Sequence, residues 1–214
     1  ERMVGESGFL KASYGARNSK GFNFASFSGP AVDNVLDMDG KITYKHHFDF
    51  FDSYFTTGVE TIHGNDTTVN YSDNLLNPLT PGDTVTGHYS IDKIQVSPFV
   101  QLETSPLSWL HLTAGARYDD ITYDAEDVFN NTTSSVSFSE FSPKAGLTLD
   151  LPFEQTFWFN YSFGFSPPSS SLLFTNSIAD ASLKPERVEN LEIGFRGSLI
   201  EDKLNYEIAY YNAD

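Results

Sequence analysis

Between residues 155 and 165 the chain sets an aromatic side chain at every second position. Phe157, Phe159, Tyr161, Phe163 and Phe165 alternate with Trp158, Asn160, Ser162 and Gly164. Successive side chains on a β-strand point to opposite faces, so this segment predicts a strand with one apolar and one largely polar face. The alternation recurs at 92–103, 109–119, 140–150, 189–199 and 204–211, and more weakly at 8–16, 40–50 and 53–62. Nine strands are predicted, each about long enough to cross a bilayer at a tilt.

A soluble sheet also alternates, so the second face decides more. It carries ionisable residues in mid-strand: Lys93, Arg117, Lys144, Glu192, Arg196 and Glu207. A packed second core does not tolerate these groups, whereas a wet interior does. The apolar face is rich in Phe and Tyr, as in a lipid-facing band with aromatic girdles; the chain has 19 Phe and 11 Tyr against 2 Met.

The connections sort by length. Phe51-Asp52-Ser53, Ser105-Pro106-Leu107-Ser108, Leu151-Pro152-Phe153-Glu154 and Ile200-Glu201-Asp202-Lys203 are short, and the stretches 17–39, 63–90, 120–137 and 166–188 read as long polar loops between them. Strict alternation of short turns and long loops is the layout of outer-membrane barrels. The fold predicted is all-β, an antiparallel transmembrane β-barrel segment.

Composition narrows the picture. No run of about 18 apolar residues exists, which excludes a helical membrane protein. There is no cysteine, hence no disulfide framework or thiolate metal site. A formal charge of −16 argues against nucleic acid as a partner. Asp119, Asp120, Asp124, Glu126 and Asp127 crowd one stretch without a base; they read as a solvated loop, with a divalent-cation or lipopolysaccharide-bridging surface as the alternative. The chain starts at Glu1 with no signal peptide and stops just after a strand, and the odd strand count adds to the expectation of a piece of a larger barrel.

Three ordered motifs bring in a family. The first is Phe141-Ser142-Pro143-Lys144-Ala145-Gly146-Leu147, and the second is Tyr161-Ser162-Phe163-Gly164-Phe165-Ser166-Pro167-Pro168. The third runs Leu183-Lys184-Pro185-Glu186-Arg187-Val188-Glu189-Asn190-Leu191-Glu192-Ile193-Gly194. With Leu112-Thr113-Ala114-Gly115-Ala116-Arg117-Tyr118-Asp119 upstream, this set resembles the C-terminal barrel half of TonB-dependent outer-membrane receptors, over residues 88–214. The resemblance implies a barrel of about 22 strands in the bacterial outer membrane, of which 1–214 is a partial barrel domain lacking the plug and the final strand. It implies energy-coupled uptake of a scarce nutrient, foremost a ferric siderophore, with haem or cobalamin as other cargoes. It implies as partners a TonB-type energy-coupling protein, acting through the plug, and the outer-membrane lipid around the wall.

The motif positions have physical readings of their own. Pro167 and Pro168 cannot donate ladder hydrogen bonds and end the aromatic strand, and Lys184-Pro185-Glu186 holds off pairing until the next strand. Arg117, Lys144, Glu192 and Arg196 face the lumen, where they pair with one another or with plug residues. Ser142, Pro143, Gly146, Gly164, Phe165, Leu183, Asn190 and Gly194 are taken as structural, as are the prolines, Lys184 and Glu186.

Other sites are weaker. Asp37-Met38-Asp39-Gly40 begins like a calcium loop, but Phe48 stands where the closing Glu belongs, so a turn before a strand is expected. His46 and His47 point to opposite faces and cannot chelate together, while His63 and His88 are placed near the base of one loop as a weak metal pair. No nucleophile elbow, phosphate loop or carboxylate pocket stands out, so no enzyme, cofactor or metal site is predicted. The competing readings are a passive porin-like channel, a membrane-bound hydrolase barrel and a soluble β-adhesin. The first would lack the three ordered motifs, the second needs a rim Ser/His pair, and the third must bury its Phe-rich faces together.

Overall fold

A computed structural model describes residues 2–5, 7–25, 29–73, 81–169, 173–175, 178–179, 182–199 and 203–214. They form an antiparallel meander. In chain order the strands are β1 (Arg2–Val4), β2 (Gly8–Ala25), β3 (Gly29–Phe48), β4 (Ser53–Asp73), β5 (Pro81–Leu107), β6 (Leu110–Asp127), β7 (Thr132–Leu151) and β8 (Gln155–Ser166). Then come β9 (Phe174–Thr175), β10 (Ile178–Ala179), β11 (Glu186–Leu199) and β12 (Leu204–Ala213). Ten of these make one sheet in the order β1 to β8, β11, β12, while β9 and β10 pair only with each other. Each predicted strand falls on a member of the sheet, although 109–119 starts one residue before β6 and 40–50 runs two residues past the end of β3. The stub β1 was not foreseen; it pairs with the start of β2 across a turn at Gly5, whose φ of +70° suits glycine.

Short connections at 5–7, 49–52, 108–109 and 152–154 gather at one end of the sheet. The fourth expected turn, at 200–203, falls mostly outside the described residues. Two of these turns hold bulky residues in the left-handed region, Phe51 (φ 55°) with Asp52 (φ 43°), and Phe153 (φ 64°) with Glu154 (φ 56°), the backbone of tight hairpin turns whose twist matches that of the strands.

At the other end the structure corrects the expected long loops. The β2–β3 ladder is unbroken from Gly8↔His46 to Ala25↔Gly29, and β6–β7 runs in register to Asp127↔Thr132. Of the stretches expected as loops, 17–25 with 29–39, 120–137, and much of 63–90 are therefore hairpin. A strand of 27 residues such as β5 spans roughly 90 Å at about 3.3 Å per residue, far more than a tilted crossing of a 30 Å hydrocarbon layer requires. Beyond that layer the outer face no longer needs to be apolar, so the pattern that marks the crossing halves stops while the backbone ladder continues. Asp37 and Gly40 accordingly sit inside β3, opposite Arg17 and Tyr14, and not in a turn.

The sheet does not close around a core of its own. Among the described residues the buried apolar set is Ile121, Tyr123, Ala125 and Leu173. Leu102, Leu112, Phe141, Ile193, Ile208 and Tyr210 lie on one face, cross-strand from one another's neighbours, and all are exposed, Ile208 by 71%. So large a bare apolar surface marks a face that something else covers.

Candidate functional site: the charged inner face

The opposite face collects the mid-strand charges. Registers place Lys41 on β3 beside Glu60 on β4, Ser97 and Gln101 on β5, Arg117 and Asp119 on β6, and Lys144 on β7, all with one pleat parity. The Arg117 guanidinium donates through Nη1 to Glu60 Oε2 (2.7 Å) and through Nε to Asp119 Oδ1 (2.9 Å). Asp119 is buried and accepts two more bonds there, from Ser97 Oγ (2.6 Å) and Gln95 Nε2 (3.1 Å). A buried carboxylate needs such a set of donors. Lys41 reaches Glu60 only at 3.9 Å, and Lys45 reaches Glu103 at 3.8 Å.

Of the two arrangements expected for Arg117, Lys144, Glu192 and Arg196, pairing with one another does not occur among the described residues. Arg117 finds its carboxylates on β4 and its own strand. Lys144 Nζ donates to Gln101 Oε1 at 2.5 Å, and among the described residues no carboxylate lies within ion-pair reach of it. Glu192 accepts the Trp158 indole N–H (2.9 Å) and a longer bond from Asn160 Nδ2 (3.5 Å), and Arg196 lies 5.9 Å from the Trp158 ring centroid.

Two motif glycines follow from this layout. A Cβ on Gly194 would collide with the Trp158 indole, and one on Gly146 would stand 2.9 Å from Asn160 Oδ1. Large side chains lie flat across the smaller neighbour and cover the wall.

Of the other motif positions, Ser142 sits opposite Arg117, Pro143 opposite Ala116, and Asn190 opposite Ser162. Pro143 has a consequence the sequence reading missed. The β7–β8 ladder runs from Leu151↔Gln155 to Lys144↔Ser162 and stops; the next pair would need a ladder bond from Pro143, which has no N–H. Beyond that point β8 pairs only with β11, as far as Ser166↔Glu186. The freed strand end turns onto the inner face. Phe165 and Leu183 pack against Ile121, Tyr123, Ala125 and Leu173, and Arg187 binds Glu140 (Nη2 to Oε2, 2.6 Å). Phe163 lines an inner recess with Lys41, Arg117 and Lys144. Phe163 and Phe165 keep the parity of Tyr161 within the β8–β11 ladder, the Tyr161 and Phe163 rings standing 5.4 Å apart. This end of the hairpin, however, lies over the inner face of β6 and β7 and no longer continues the outer apolar band. Gly164 stands beside Val188, Pro167 and Pro168 follow the last residue of β8, and Lys184 and Pro185 precede Glu186, the first of β11.

The acidic stretch of β6 is divided by the pleat. Asp119 and Asp127 are buried on the inner face, while Asp120, Asp124 and Glu126 take the other parity. Asp127 caps the following turn, accepting from the N–H groups of Phe129 (3.0 Å) and Asn130 (2.9 Å) and from Asn130 Nδ2 (2.7 Å). The Asn130 side chain first, and these backbone donors next, hold its carboxyl below the usual carboxylate range. Near the outer end of β4, burial first and then Asp33 and Asp37 push the Asp66 carboxyl up, and its Oδ1 has no hydrogen-bond partner among the described residues.

His63 pairs across from Ile94 and His88 across from Val69. Six ladder steps, about 20 Å, separate them, so they do not form the metal pair that the sequence suggested. His46 meets Tyr44 Oη (3.0 Å) and His47 meets Asp52 (2.8 Å). No group of three metal-ligating side chains occurs among the described residues.

Comparison with known proteins agrees with this geometry. The family model "TonB dependent receptor-like, beta-barrel" matches residues 6–214. A ferric-pyoverdine 358 receptor of Pseudomonas putida is 30% identical over 155 residues, which is 69% of this chain and 18% of that protein. The alcaligin outer-membrane receptor FauA of Bordetella pertussis superposes with a TM-score of 0.70 at 19% identity, over 95% of this chain and 33% of that one. The copper transporter OprC gives 0.72 at 15%, over 96% and 35%. The chain therefore spans well under half the length of these relatives.

Proposed function

The chain belongs to the TonB-dependent receptor-like β-barrel family of the bacterial outer membrane, and from that membership we propose that it is a wall segment of a receptor for energy-coupled uptake of a ferric siderophore. The observation that carries the substrate class is the match to a ferric-pyoverdine receptor at 30% identity. Its Phe- and Leu-rich face meets lipid, its charged face lines the lumen, and the extended hairpins stand outside the cell. A TonB-type partner supplies the energy through a plug domain held elsewhere in the receptor.

The wall supports selective transport better than open diffusion. Its inner face is covered by flat-lying side chains, and the end of the β8–β11 hairpin is tucked against it. A passive channel is the second reading.

The test is uptake of radio-iron as ferric pyoverdine by cells carrying or lacking the full-length gene under iron limitation. Loss on deletion, restoration by the gene, and abolition by a protonophore are expected. Uptake that survives collapse of the proton gradient would favour the passive channel.

A further inference from the structure

We propose that the recess around Lys144 is a carboxylate-binding site on the inner wall. It has a volume of about 350 Å3, at the small end of ligand sites, and its chemistry comes from Lys41, Phe99, Gln101, Arg117, Lys144 and Phe163. Arg117 is committed to Glu60 and Asp119. Glu60, already held by Arg117 at 2.7 Å, lies 3.9 Å from Lys41. Among the described residues Lys144 has the neutral carbonyl oxygen of Gln101 as its polar partner. Three cations thus share two carboxylates, and the surplus charge sits at Lys144.

The surroundings suit an anion with a flat body. Gly115 leaves room for the Lys144 stem, whose Cε would stand 3.0 Å from a Cβ placed there, so the stem lies along the wall. Lys41 stands 5.1 Å above the Phe99 ring. Phe163, carried inward by the part of β8 released at Pro143, bounds the recess. One carboxylate at the surplus cation, with an apolar body against the aromatic lining, satisfies both features. In a chain of net charge −16, a locally cationic recess is a departure that composition does not explain.

The carboxylate has two sources, a free organic acid in the lumen or an acidic side chain from another part of the receptor. The site rests on the barrel fold and not on the choice of cargo, so it stands or falls separately from the uptake assay. The experiment uses the full-length receptor in detergent, 4-fluorobenzoate as probe followed by 19F NMR, and 4-fluorobenzamide as its uncharged counterpart. For a free acid, benzoate binds and benzamide does not, Lys144→Gln weakens binding about tenfold, a change of 1.4 kcal/mol, and Lys144→Arg retains it. For an internal carboxylate, the probe is excluded from the wild type, while Lys144→Gln lowers the melting midpoint by several degrees and Lys144→Arg does not. Lys41→Met repeats each arm should Lys144→Gln fail to assemble. Equal binding of benzoate and benzamide, or exclusion of the probe with melting unchanged in both variants, would overturn the site.

Discussion

At the scale of single residues, what matters is which way each side chain points. Phe159 pairs across from Leu147 and Ile193 on the apolar face, while Asn160, one step on, reaches Glu192. Phe159→Arg is expected to cost about 2–4 kcal/mol near the middle of the lipid, and Asn160→Arg, facing the lumen beside a carboxylate, much less. Folding yields of the full-length receptor into lipid vesicles measure this, and equal damage would refute the assigned parity. Gly194 provides a second check. Gly194→Ala should destabilise by about 1–3 kcal/mol through collision with the indole, and the loss should shrink on a Trp158→Ala background, a coupling read from a double-mutant cycle. Asp66 adds a pH test. Burial and its acidic neighbours favour its neutral form in the folded state, so its charge costs stability as the pH rises above the ordinary carboxylate value. Asp66→Asn should therefore raise hydrogen-exchange protection of the β4–β5 hairpin at pH 7, and the gain should vanish below about pH 4, where an ordinary Asp is itself protonated.

At the scale of elements, the membrane-crossing halves of the strands were legible and their outer halves were not. Residues 140–150 and 189–199 alternate because one face meets an apolar medium and the other water. Above that level the apolar positions of β6 change sides. Leu110, Leu112, Ala114 and Ala116 are followed by Ile121, Tyr123 and Ala125 on the opposite, inner face, and Asp120, Thr122, Asp124 and Glu126 take the outer one, so no single period runs through the strand. The same blindness made 120–137 look like a loop. Amides of residues 120–127 should accordingly exchange slowly in the full-length receptor, as a paired ladder does; fast exchange throughout would restore the loop. The turn of Phe163 and Phe165 to the inner face was hidden for a different reason. Period two continues unbroken through both, and the signal lay on the neighbouring strand, in Pro143, where one missing N–H ends the β7–β8 ladder. The charged residues were legible as a lumen face, but their partners were not, since register selects Glu60 and Gln101 from positions far away in the chain.

At the scale of the whole molecule, the sheet has two open edges, β1–β2 and β12, and one bare apolar face. Unpaired backbone groups in hydrocarbon cost several kcal/mol each, which is why spanning sheets close. Residues 1–214 expressed alone should then aggregate or close only as an oligomer, and a monodisperse, heat-modifiable monomer in detergent would contradict that. The central claim, a barrel wall with lipid on the Phe face and the β8 tip drawn inward, is tested most directly by a spin-label scan through β8. Single cysteines at 157–165 of the full-length receptor are labelled and reconstituted in vesicles, and the collision rates with oxygen and with a water-soluble nickel chelate are measured at each. The account predicts oxygen maxima at 157, 159 and 161, chelate maxima at 158 and 160, and no return of the oxygen maximum at 163 or 165. Oxygen maxima continuing through 163 and 165 would contradict the inward turn, and maxima at 158 and 160 would reverse the wall.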